Sequence, residues 1–99
     1  MPKLVRDLIP EIISRQGKNP ITRVLDNEEY KKELISKLFE EVQEFQQDPN
    51  IEELADIIEV FEATLEAFGF NHQELKIARD KKNGERGKFD QRIFLEEIK

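Results

Sequence analysis

The sequence predicts an all-α fold, an antiparallel helical hairpin with accessory helices whose four-helix core is completed by dimerisation. Three observations carry that expectation. Apolar residues recur at helical spacing through two long stretches. Asp26, Asn50 and Asn71 each stand three residues before a glutamate, the mark of a helix start. A chain of 99 residues, 37% apolar and 38% charged, buries only a modest fraction of its surface alone. Pairing of helices within or between chains is the remedy.

The elements follow in order within one domain, residues 1–99. Residues 8–15 read as a short helix that tolerates Pro10 in its first turn. Gly17 and Pro20 break the chain. Residues 21–25, Ile-Thr-Arg-Val-Leu, have strand character. Asp26 with Glu29 forms a capping box and opens a long helix to about residue 46. Asp48-Pro49-Asn50 is a turn. Asn50 with Glu53 caps the next helix, which reaches about residue 68 and is stopped by Gly69. Asn71 with Glu74 caps another, to about residue 82. Residues 83–87 read as a loop. Residues 91–98 read as extended, with room for a small two-stranded ribbon against residues 21–25.

Composition excludes several functions. With no cysteine there is no disulfide scaffold, thiolate zinc site or cysteine nucleophile. A single histidine, His72, leaves no multi-histidine metal site within one chain, and its place after a cap reads as surface. Ser14, Thr22 and Ser36 lack the histidine and acid that a serine-type nucleophile needs. No apolar run nears the ~20 residues that cross a bilayer. The opening Met1-Pro2-Lys3-Leu4-Val5-Arg6-Asp7 lacks the apolar core of a signal peptide. The expected address is cytoplasmic, with no membrane partner.

The net charge of −6 is segregated. Residues 1–25 carry five bases against two acids, residues 26–75 three against fifteen, and residues 76–99 eight against five. An acidic middle is unlike the dominant basic face of a nucleic-acid-binding domain, so no nucleic-acid partner is expected. It suits a metal held by carboxylates, with cations nearby for phosphate. The competing explanation is that the charges solvate helix faces.

Position bears on the choice, with ordinary surface acids at helix ends still the competing explanation. At about 100° per residue, Tyr30, Leu34, Ile35, Leu38, Phe39, Val42 and Phe45 fill one arc of the first long helix. Glu41 falls inside that arc, Glu44 on its edge, and Glu40 faces out. On the second long helix Ile51, Leu54, Ile58, Phe61, Leu65 and Phe68 make the main stripe, expected to pack on the hairpin partner. Phe39 and Phe61 read as core. Glu53 and Asp56 share a second, smaller-residue face with Val60, Ala63, Thr64 and Ala67, which a second chain is expected to cover. The turn centres between Asp48 and Pro49, so Glu44 lies level with Glu53, and Glu41 with Asp56, about 7 and 11 Å from it. Converging carboxylates repel one another and ask for a counter-charge. Hard oxygen ligands without His or Cys suit magnesium, with manganese as a possible substitute.

The motif so reached, Glu40-Glu41-Val42-Gln43-Glu44 then Glu53-Leu54-Ala55-Asp56, reads EExxE followed by ExxD. It resembles the signature of the MazG-like all-α nucleoside triphosphate pyrophosphatases, which also include dimeric dUTPases and phosphoribosyl-ATP pyrophosphatase. Lys3-Leu4-Val5-Arg6-Asp7-Leu8-Ile9-Pro10-Glu11-Ile12-Ile13 resembles the start of a small phosphoribosyl-ATP pyrophosphohydrolase-like branch. Arg86-Gly87-Lys88-Phe89 and Ile93-Phe94-Leu95-Glu96 resemble its end. The resemblance implies hydrolysis between the α and β phosphates, giving a monophosphate and pyrophosphate. It implies magnesium held by Glu41, Glu44, Glu53 and Asp56, with Glu40 helping at the site, and assembly as a homodimer. Only eight residues separate Glu44 from Glu53, fewer than the family's usual spacing, so specificity carried by a longer loop does not transfer.

The basic flanks supply candidate phosphate ligands: Lys76, Arg79, Lys82, Arg86 and Lys88, with Lys3 and Arg6 behind them. Arg86, read as lying in the glycine-bounded loop, leads because a guanidinium binds phosphate two-pronged. Non-standard nucleotides, in a house-cleaning role, are the first substrate class, ordinary dNTPs the second and phosphoribosyl-ATP the third. Two other classes remain: a helical interaction module whose acids only solvate, and a non-catalytic nucleotide sensor.

Overall fold

Asp26, Asn50 and Asn71 each take an extended backbone, and each side chain accepts a hydrogen bond from the backbone N–H three residues on, at 2.9, 3.0 and 2.8 Å. Each bond satisfies a donor that the first helical turn leaves orphaned. The reciprocal bond of a full capping box forms at Asn71, whose backbone N–H donates to Glu74. At the other two caps the glutamate is used elsewhere. Glu29 receives both prongs of the Arg23 guanidinium, and Glu53 points toward other acids.

In this computed structural model, which describes residues 2–99, the helices are α1 (Ile9–Arg15), α2 (Asn27–Gln47), α3 (Ile51–Ala67) and α4 (His72–Arg86). The fold is all-α. The chain divides into two compact units, Met1–Gly69 and Phe70–Lys99.

In the first unit α2 and α3 pack on one another as a hairpin. Its turn is held by the Asn50 amide, which donates to the backbone carbonyl and carboxylate of Asp48, both at 3.1 Å. Gly69 ends α3 at φ 78°, a left-handed conformation that costs a side-chain-bearing residue about 1 kcal/mol or more. Lys31 sits 5.6 Å from the centre of the Phe68 ring, tying the start of α2 to the end of α3.

The seam differs from the expectation. On α3, Val60, Ala63, Thr64 and Ala67 are half-buried, whereas Ile51, Leu54 and Ile58 are exposed. The small-residue face meets α2, and the first part of the large-residue stripe, Ile51, Leu54 and Ile58, is left open, while Phe61 and Leu65 further along it are half-buried. Small side chains let two helices approach closely, and the Thr64 hydroxyl removes its own polarity by donating to the Val60 carbonyl at 2.7 Å. On α2 the inward line is Tyr30, Leu34, Leu38, Glu41 and Phe45, with Leu34 only 2% exposed. Phe39 is 69% exposed, with Ile35 and Val42 beside it in helical register. It is not core: one partner helix covers one side of α2, and Phe39 lies on another. Phe61 is half-buried.

The ribbon does not form, for the described residues include no strand. Ile21 and Val24 are almost wholly exposed, as are Phe89, Ile93, Phe94 and Ile98. A two-stranded ribbon without a face to pack against is marginal in water.

In the second unit α4 runs through Asn83 and Gly84 to Arg86, beyond its expected end at residue 82. The interior glycine costs about 1 kcal/mol relative to alanine, opposed by the Lys81–Glu85 pair one turn apart. The stop comes at Gly87, with φ 79° and its N–H donating to the Asn83 carbonyl. Arg86 therefore belongs to the last helical turn, not to a phosphate-wrapping loop.

Candidate metal centre

Glu41 faces inward because it follows Leu34 by seven residues, two turns along the same line of α2. Glu53 and Asp56 lie three apart on the α3 face that meets α2. One carboxylate oxygen from each of these three acids lies within 4.8 Å of the others. Glu41 is 6% exposed. Its Oε2, and Oε2 of Glu53, are buried without a hydrogen-bond partner. Unpaired acceptors of this kind are costly, and their convergence makes a place that a cation could fill.

The electrostatics follow from this crowding. Loss of hydration raises the Glu41 carboxyl above the usual carboxylate range, Glu44 and Asp56 raise it further, and Lys37 opposes them. Glu53 is raised likewise, by loss of hydration first and then by Glu44, Asp56, Asp48 and Glu52. Glu44 is thus a close electrostatic neighbour. It is not one of the three whose oxygens converge, so three of the four predicted acids come together, with the fourth as their electrostatic neighbour.

Cations already lean on the cluster. Arg6 donates to Oδ1 of Asp56 at 2.7 Å. Lys37 Nζ lies 3.4 Å from Oε1 of both Glu40 and Glu41, and its side chain is 15% exposed. Lys3 reaches Glu40 Oε1 at 3.6 Å. Lys3 and Arg6, the weakest candidates by sequence, thus stand beside the acids. Lys37 is not among the sequence candidates; its place one turn before the inward-facing acid is the signal that marks it. Lys76, Arg79, Lys82, Arg86 and Lys88 all belong to the second unit, where Lys76 pairs with Asp80. An open groove of about 550 Å³ adjoins Lys37 and Glu40, and Pro2, Lys3, Leu4, Glu33 and Ser36 complete its lining.

The donor set fits a divalent metal. All three donors are hard carboxylate oxygens, the choice of magnesium and manganese. Metal–oxygen distances of about 2.0–2.1 Å place the ligands of one magnesium ion about 3–4 Å apart, within small side-chain adjustments of the spacing seen.

No family model matches the chain, and no solved structure matches it. Over 44 residues the chain is 50% identical to an uncharacterized protein of Mycolicibacterium smegmatis. That stretch makes up 44% of this chain and 45% of the relative, so the chain spans less than half the length of the protein it is similar to.

Proposed function

We propose that this chain is a magnesium-dependent nucleoside triphosphate pyrophosphohydrolase of MazG-like type, cleaving the α–β phosphate bond to a monophosphate and pyrophosphate. The observation that carries the reading is the convergence of Glu41, Glu53 and Asp56, two of them with buried, unpartnered oxygens, on the positions that the EExxE and ExxD motifs single out. Non-standard nucleotides are the first substrate class, manganese is an acceptable substitute, and the cytoplasm is the compartment.

In this reading Glu41, Glu53 and Asp56 hold the ion. Bound there, it supplies a Lewis acid for phosphate oxygens and a more acidic bound water. Glu44 adds negative charge at the edge that favours retention of the ion. Glu40, held by Lys3 and Lys37 at the rim, is placed to accept a proton as water attacks the α-phosphorus. The bond to the bridging oxygen breaks, and pyrophosphate leaves with the electron pair. A homodimer completes the particle, because Ile35, Phe39 and Val42 of α2 and Ile51, Leu54 and Ile58 of α3 are exposed apolar rows.

Product analysis tests the reading. Purified protein is incubated with canonical and modified NTPs and dNTPs, with magnesium or with chelator. Magnesium-dependent monophosphate and pyrophosphate are expected. Diphosphate and orthophosphate would refute the bond choice. Binding without turnover on the nucleotide panel or on phosphoribosyl-ATP indicates a sensor. No turnover, and no effect of metal on stability, leaves a helical interaction module.

A further inference from the structure

We propose that Arg6 and Lys37 are exchangeable counter-ions, resting on the acid cluster when it holds no divalent ion and passing to the polyphosphate of the substrate when it does. The proposal rests on reading the acid trio as a metal site. Each cation touches a different member of the trio, Arg6 at Asp56 and Lys37 at Glu41, and from different directions in the chain. Arg6 comes from the segment before α1, fifty residues from its partner, whereas Lys37 comes from α2 one turn before Glu41.

A divalent ion takes over the neutralising task at the same carboxylates. Neither cation then keeps its partner within the trio at full strength, and Lys37 is left with Glu40 at the rim. Arginine does not lose its proton in proteins, so its charge must find another anion. Lys37 is already a wall of the groove of about 550 Å³, with Lys3 and Ser36 on the same wall system. That groove gives the released lysine a place to meet an anion beside the metal. A triphosphate carries about four negative charges, and its non-reacting phosphates must be neutralised by something other than the acids that hold the ion. The same two side chains thereby serve the site without its ion and the site with its substrate. Binding of metal and of polyphosphate becomes linked, each favouring the other.

The test is calorimetric titration of the full chain and of Arg6→Gln, Arg6→Lys and Lys37→Gln, first with manganese alone and then with the magnesium complex of inorganic tripolyphosphate. Arg6→Gln and Lys37→Gln are expected to bind manganese about three- to fivefold more tightly, since a competitor is gone. They are expected to bind the tripolyphosphate complex about tenfold more weakly. Arg6→Lys keeps the charge and is expected to stay near the parent in the manganese titration. Parent-like binding by both glutamine variants in both titrations would overturn the proposal while leaving the metal site intact. Weaker manganese binding by Arg6→Gln, with unchanged tripolyphosphate binding, would overturn it in favour of a structural tether. Failure of the parent to bind manganese would refute the metal site, and the proposal with it.

Discussion

Glu41 carries the sharpest test at the scale of one residue. Its carboxyl binds a proton more tightly in the folded chain than in the unfolded one, because burial comes first among the causes and neighbouring acids second. Between the ordinary carboxyl pKa and the raised one, the folded state therefore holds the extra proton. Stability contributed by this group is present below that window and is lost as pH rises through it. Glutamine cannot ionise, so Glu41→Gln is expected to be more stable than the parent near pH 7 in chelator. The two should converge below the ordinary carboxyl range, where folded and unfolded parent are both protonated. Urea unfolding at both pH values measures the difference. Excess magnesium should reverse the order at neutral pH by stabilising only the parent. Equal stability at every pH, with and without magnesium, would remove Glu41 from the site.

At the scale of the element, the caps were legible because their chemistry is local. Asp26, Asn50 and Asn71 need only a neighbouring backbone N–H. Asn50→Ala removes the α3 cap and is expected to cost about 1 kcal/mol, with weaker magnesium stabilisation because Glu53 occupies that same turn. Thermal unfolding with and without magnesium reports both. The acids were legible in part. Distance to the turn set Glu41 level with Asp56 and Glu44 with Glu53, but angular position put Glu53 and Asp56 on the face away from α2, and Glu44 stays outside the converging trio. What the periodicity hid was which α3 face meets α2. Apolar area alone favours Ile51, Leu54 and Ile58, but close approach favours Ala63, Thr64 and Ala67. The end of α4 was hidden because Asn83 and Gly84 are loop formers that a helix can also carry. The strand reading at residues 21–25 failed for a related reason: β-branched residues suit a sheet only when a sheet is there to receive them.

At the scale of the whole molecule, only Leu34 and Glu41 are buried among the described residues, and one of those two is an acid. Such a core gives a lone hairpin little stability. Burying one exposed large apolar side chain is worth about 1.5–3 kcal/mol, so covering Phe39 and Ile58 in a second copy matters greatly. We expect sedimentation at micromolar concentration to show a dimer, and Phe39→Glu or Ile58→Glu to shift it toward monomer. A parent that sediments as a monomer across that range would refute the dimer. Among the described residues no helix is long and apolar enough to cross a membrane.

The tight turn at Asp48-Pro49-Asn50 joins the two helices that carry the acid trio, one acid before it and two after it. An ion held by all three would be a clasp between the two helices, close to the hinge. Backbone amides beside the clasp should then exchange with deuterated solvent more slowly when magnesium is present, in both α2 and α3. Those of the exposed tail, residues 88–99, should exchange at the same pace either way. Isotope exchange would thus read occupancy of the centre directly, before any substrate has been found.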